Sequence, residues 1–228
     1  MIDTVAVSLA LRNQALLLSV CTTGSTTLSA TATGYNRTAG SFITDGFKPG
    51  MEVRGTGSWV STNNVGYSTI TQVTSTDLTI DGGRTVESAG AGKTLIVGVP
   101  ETRAWENRDA NPIPGRSWLR EEFVPAGSFL RSYPAQGATM EESGLYILTW
   151  FGLPKYGEGA IRKSVDALRA LFTSGTILLA GTTPVRITGT SPLEPGPFAG
   201  QILPDGNGWM YCQLRIPWAC QTINAVAA

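Results

Sequence analysis

Two stretches with helical spacing bracket a long run of short alternating segments, and that order requires a sheet with helices on its flanks. Between residues 42 and 103, apolar and polar residues alternate in Met51-Glu-Val53-Arg, Ser68-Thr-Ile70-Thr-Gln-Val73, Leu78-Thr-Ile80 and Thr94-Leu-Ile-Val-Gly-Val99. Turn residues separate these runs: Asp45-Gly46, Pro49-Gly50, Asn63-Asn64 and Asp81-Gly82-Gly83. A period of two with such punctuation predicts a small all-β unit of short strands.

The flanks read differently. Residues 3–19 predict an amphipathic helix with Val5, Leu9, Leu16 and Val20 on its apolar stripe, widened by Leu11, Leu17 and Leu18, and with Asp3 or Thr4 as N-cap. Ser, Thr and Gly dominate residues 22–41, which predicts a loop or extended linker. After a Pro- and Gly-rich stretch, Ser117–Phe123 reads as a strand with Trp118, Arg120 and Glu122 on one face and Leu119, Glu121 and Phe123 on the other. Gly144–Phe151 is a near-continuous apolar run, as in a central strand. From Glu158 to Phe172, Ile161, Val165, Leu168, Leu171 and Phe172 recur at helical spacing. Strands are expected at 176–179, 184–187 and 208–218. The expected fold is therefore α+β: an antiparallel or mixed sheet packed by two helices, with a small all-β inserted domain. In that division residues 1–39 and 104–228 form the α+β domain, and 40–103 form the insert.

Composition narrows the chemistry. The 228 residues include no histidine, which removes the usual general base and the commonest metal ligand. Lys+Arg and Asp+Glu both number 17, so the formal net charge is zero, and charged residues are only 15% of the chain. A neutral, charge-poor surface suits a chain covered by other subunits. No basic cluster marks a nucleic-acid site; Arg162, Lys163 and Arg169 share a helix with Glu158 and Asp166 and read as a solvated face. Cys21, Cys212 and Cys220 lack metal-ligand spacing and read as buried small apolar residues in a reduced compartment. The N-terminus carries Asp3 where an export signal is basic, and Arg12 interrupts its apolar run. No stretch is long and apolar enough to span a bilayer, so the expectation is a chain made in the cytoplasm, with no membrane partner.

Three segments invite a chemical reading. Ser88–Thr94 ends in Gly-Lys-Thr like a phosphate-binding loop, but Glu87 stands where that loop has its first glycine, and a strand pattern rather than a helix follows. A glycine-rich turn fits better. Glu121-Glu122 and Glu141-Glu142 are adjacent pairs, and adjacent strand residues point to opposite faces, so neither pair converges on one substrate atom. Trp59 and Tyr67 lie among Gly, Ser and Asn in the alternating region; they are candidates for an aromatic contact with a protein or glycan, set against ordinary core filling. No catalytic, cofactor-binding or metal-ligating residue is expected, and the chain is not expected to be an enzyme.

The second half resembles a known family. Trp118-Leu-Arg-Glu-Glu-Phe123 after the Pro114-Gly115 turn, the Gly144–Phe151 strand, the Gly157–Phe172 helix with Val165-Asp-Ala-Leu-Arg-Ala-Leu-Phe172, and the ending Leu214-Arg-Ile-Pro-Trp218 are similar, in order and spacing, to phage tail-terminator-like proteins. The resemblance covers roughly 1–20 and 112–220, whereas 40–103 looks like a β module of phage structural proteins. It implies a virion protein of the tail or neck that forms a homo-oligomeric, typically hexameric, ring at the head-proximal end of a long tail. The implied partners are the major tail tube protein and head-completion or connector proteins, with DNA passing through the lumen without sequence-specific binding. Trp118, Arg120, Glu122, Arg162 and Arg169 are the candidate subunit-interface residues. The alternatives are a tail-tube or head-tail connector subunit, and, from another class, a surface- or carbohydrate-binding module acting through Trp59 and Tyr67.

Overall fold

The computed structural model describes residues 3–105, 111–132, 138–189 and 197–224. The chain begins with α1 (Thr4–Leu16), whose N-cap Asp3 accepts hydrogen bonds from the Val5 and Ala6 amides. Seven strands then follow: β1 (Ser19–Gly24), β2 (Ser29–Thr31), β3 (Gly34–Asn36), β4 (Glu52–Gly57), β5 (Ser68–Val73), β6 (Asp77–Ile80) and β7 (Lys93–Gly98). A short helix α2 (Phe42–Asp45) lies between β3 and β4. The seven strands form one sheet in the order β1-β7-β4-β5-β6-β3-β2. The stretch 22–41, expected as a loop or extended linker, thus carries the end of β1 and the short strands β2 and β3 between its turns. Its Ser/Thr-rich pieces are too short to display a period, and tertiary pairing with β6 and β7 decides their conformation.

The second sheet is built from β8 (Thr102–Ala104), β9 (Trp118–Ser132), β10 (Ala138–Gly152), β11 (Ile177–Ala180), β12 (Thr183–Ile187), β13 (Phe198–Ala199), β14 (Leu203–Pro204) and β15 (Met210–Asn224). Its order is β11-β12-β15-β10-β9-β8, with β13 and β14 also paired to β15. β8 runs parallel to β9 and the other pairs are antiparallel, so the sheet is mixed. Strand predominates and the fold is α+β in the broad sense. β9, β10 and β15 are far longer than expected. β10 pairs with β15 from Ala138 to Gly152 and with β9 from Thr139 to Phe151.

Helix α3 (Gly159–Leu171) lies against β10 and β15 on one side and touches β1 of the first sheet on the other. Its buried Ile161, Val165 and Leu168 follow the expected stripe. Lys163 ties it to the end of α2 by donating to the Gly46 carbonyl at 2.8 Å. One continuous core joins both sheets and the helices, from Leu11 and Phe42 to Trp150, Phe172 and Trp218. α1 is turned from the expected orientation: Val7, Leu11 and Ala15 are buried, while Val5, Leu9 and Leu16 are exposed. This helix is apolar on nearly every side, so spacing alone does not choose the face. A polar lock does. Arg12 reaches the fully buried Glu121 on β9 with Nη2–Oε1 at 2.5 Å and Nε–Oε2 at 2.9 Å, and Tyr146 donates to Glu121 at 2.9 Å. Arg12 also stacks on Trp105.

A second polar joint connects the sheets. Glu52 on β4 is buried and accepts from the Glu101 amide at 2.7 Å, while its other carboxyl oxygen has no hydrogen-bond partner. Ser117 donates to the Gly50 carbonyl at 3.1 Å beside it, and Arg116 pairs with Glu101. Burial raises the Glu52 carboxyl to about 7, against the lowering effect of the Glu101 amide and Arg116. A carboxyl raised on folding is neutral in the native state while ionised in the unfolded chain, so its contribution to stability is full at pH 4 and fades as pH climbs to 7. Glu52→Gln should remove that slope and stabilise the protein at pH 8 by on the order of 3 kcal/mol. Urea unfolding at pH 5 and pH 8 checks this; an equal effect at both pH values would contradict it.

Candidate assembly surface

The face of the second sheet away from α3 carries the interface candidates Trp118, Arg120 and Glu122. Cross-strand pairing aligns Trp118 with Phe151 and Tyr211, and Arg120 with Thr149 and Gln213. Trp118 is buried and stacks on Phe151 with centroids 3.7 Å apart and planes at 6°; Trp209 closes the edge at 6.4 Å. Arg120 lies 5.7 Å from the Phe151 ring and pairs with Glu122 at 2.8 Å, both side chains partly open. Trp118, Arg120, Phe151, Tyr211 and the Pro204–Asn207 turn line an open cleft of about 400 Å³. Trp118 Nε1, Arg120 Nε and Thr149 Oγ1 are buried without partners. The expected grouping of Trp118, Arg120 and Glu122 on one face is therefore realised, with Trp118 as a core residue of a small aromatic cluster.

Arg162 and Arg169 lie elsewhere, on the solvent face of α3. Arg162 is held by Glu158 four residues earlier at 2.6 Å. Arg169 borders a cleft with Asp166, Thr173 and Pro197. They do not join the aromatic face. Of the Pro/Gly-rich loop 191–207, a further candidate surface, residues 191–196 lie outside the described residues, and β13 and β14 attach the rest to β15.

Trp59 is buried. Its ring packs 5.4 Å from Tyr35 and 4.7 Å from the Lys93 ammonium, and its indole donates to the Thr94 carbonyl at 3.2 Å. Tyr67 is half-buried beside Arg54 at 5.3 Å. Lys93, the lysine of the Gly-Lys-Thr segment, is likewise enclosed, paired to Glu87 at 2.6 Å and to the Ser88 carbonyl at 2.5 Å. Gly92, at φ 77°, makes the turn into β7, so the segment is a strand entry. Lys93 holds the Glu87 carboxyl down at about 2, and Glu87 also accepts from the Val60 and Ser61 amides and Asn64. These contacts pin the 58–64 loop. They take the place of a phosphate site.

Cys21, Cys212 and Cys220 are free and buried, and burial raises the Cys21 thiol to about 12 and the Cys220 thiol to about 11. Such thiols are poor nucleophiles. Among the described residues no group of His, Cys, Asp or Glu is arranged to hold a metal ion, and no helix is long and apolar enough to cross a membrane.

Burial separates structural from surface roles. Trp118→Ala should cost about 3 kcal/mol through loss of the stacked cluster, whereas Arg162→Ala and Arg169→Ala should each stay within about 0.5 kcal/mol. Thermal unfolding of the three variants reads the difference, and a Trp118→Ala protein as stable as its parent would refute the stacking argument.

A family model described as phage tail terminator protein matches residues 93–218, which run from β7 through the second sheet and α3. One solved structure, whose name gives no function, is similar at 18% identity over 54% of this chain and 81% of its own, with a TM-score of 0.41. No curated protein matches the chain. The family match spans more than half the residues and includes the four motifs read from the sequence, and on that basis the chain belongs to the phage tail terminator protein family, a family of structural components of the virion tail.

Proposed function

We propose that this chain is the subunit of a homo-oligomeric ring, hexameric in the family pattern, that ends the tail tube on the head side and presents a surface to head-completion proteins. The family match over 93–218 is the observation that carries this reading. The aromatic cleft on the outer sheet face and the Arg162–Arg169 face of α3 are separate surfaces that different neighbours can cover, and a ring itself needs a different contact on each flank. In this reading 40–103 is an addition to the terminator body of 1–39 and 104–228, and β1 to β3 of the body complete the sheet of the addition. DNA would pass through the lumen by clearance and not by base reading, consistent with a formal net charge of zero.

Native mass spectrometry of the full chain, alone and mixed with the tail tube protein of the same phage, tests the proposal. The expected result is a closed ring of one discrete size that caps tubes at one end in electron micrographs. Open-ended tubes of this chain alone would instead identify a tube subunit. A monomer under both conditions would overturn the ring.

A further inference from the structure

Among the described residues the second sheet has two edges without a full partner strand. β9 is paired by β8 only at Trp118–Arg120, and beyond it Val124 through Phe129 are exposed in unbroken succession. A strand covered on one face would alternate, so this segment is covered on neither. Among the described residues no strand pairs with its outer side. At the far end of the strand order, β11 also has one side without a partner strand among the described residues, and its Ile177 and Leu179 stand 56% and 70% exposed. Both segments are uncharged: Phe123-Val-Pro-Ala-Gly-Ser-Phe-Leu130 and Thr176-Ile-Leu-Leu-Ala-Gly-Thr-Thr-Pro-Val185 contain no acidic or basic residue. Long open edges without charge invite pairing with another chain.

We infer that β11 of one subunit pairs with the free edge of β9 of the next copy of this chain, extending the sheet from subunit to subunit. This contact rests on the ring reading above and specifies its interface. Three observations favour a second copy as the occupant. The two edges belong to one sheet at opposite ends, so a head-to-tail contact satisfies both, and a closed ring leaves neither open. Four antiparallel steps separate β9 from β11, so the two strands point the same way, and a repeat of the sheet joins them in parallel. β8 already pairs with β9 in that sense, so the neighbour's β11 would continue the line that β8 leaves off at Ala104. The lengths also fit. Pro125 offers no N–H, so uninterrupted pairing begins at Ala126, and the seven residues from there to Ser132 leave room for the four of β11, Ile177–Ala180. Exposed Phe129 on one side and Ile177 and Leu179 on the other supply apolar cover for the new backbone bonds.

The test uses the full chain. Leu179→Lys alters an exposed side chain, so the folded subunit should keep its melting temperature and circular dichroism spectrum. Its ring should dissociate at a concentration at least about tenfold higher than the parent's in native mass spectrometry, because a lysine is forced into an apolar contact. A second variant carries Ser128→Cys and Ile177→Cys together. A short bismaleimide should link it into a ladder of covalent oligomers, whereas each single variant should give none, since the two positions meet only across unlike flanks. A ring unchanged by Leu179→Lys, or a double variant that forms rings without a ladder, overturns the edge contact and leaves the ring standing. A parent chain that never forms a ring overturns both.

Discussion

β9, β10 and β15 lie side by side for fifteen residues each, and the rest of the molecule takes its position from them. Register in such a ribbon is decided where one face is buried, because a slip of one residue turns every side chain over. Here the decision falls on Leu119, Phe123, Tyr146, Leu148, Trp150, Leu214, Ile216 and Trp218, all facing α1 and α3. Phe123 stacks on Trp218 at 5.2 Å, and Gly144 sits between them in the ladder. A Cβ at Gly144 would approach Trp218 to 2.8 Å and the Val124 carbonyl to 2.4 Å, so only glycine lets the indole cross β10. The Arg12–Glu121–Tyr146 group is set into this same face. Glu121 is the polar position in an otherwise apolar row, and its charge is tolerable because a guanidinium and a phenol both satisfy it. The group therefore works as a key: it gives α1 one rotation that apolar burial alone does not specify.

The first sheet connects to this frame by different means. Its contact runs through Glu52, Ser117, Arg116 and the chain crossing at 99–104, and through Lys163 on α3 reaching the end of α2. These contacts are polar, and the apolar core that both sheets share runs alongside them, with α3 touching β1. The 58–64 loop is fastened inside its own sheet by Glu87 and Lys93. Arg12–Glu121 thus serves as a joint and Lys93–Glu87 as a loop anchor, while Arg120–Glu122 and Arg162–Glu158 pair on the surface.

Much of this was legible in the sequence wherever one period dominated. α3 shows a single apolar stripe and was placed correctly, and β5, β6, β7 and β12 fall within a residue or two of their alternating runs. The failures share a cause. α1 has apolar residues all round, so the buried face depended on Arg12 finding Glu121 more than a hundred residues away. β2 and β3 are three residues each and pair only through tertiary contact. The outer half of β9 was invisible because a strand exposed on both faces has no alternation to detect. The pairing of Trp118, Arg120 and Glu122 was readable from strand geometry, but the stacking partner Phe151 was not, since it closes an apolar run that looked uniformly buried. Trp59 stood among small polar residues in the sequence, yet its neighbours in space are Tyr35 and Lys93.

Some of the segments that escaped detection, the outer half of β9 and the outward side of α1, are ones the described chain leaves exposed. A residue advertises its environment in sequence only when that environment is periodic, and periodicity comes from burial within one chain. Among the described residues Val124–Phe129 and the outward side of α1 are exposed and so show no pattern, although they are uncharged and partly apolar. In a protein selected to remain alone, such surfaces would carry lysines or glutamates as protection. Their absence is a constraint of the same kind as the buried Glu121: a local cost tolerated because something else meets it. For Glu121 the partner is Arg12 within the chain; for the open edges it is, in the contact inferred above, the next copy of this chain.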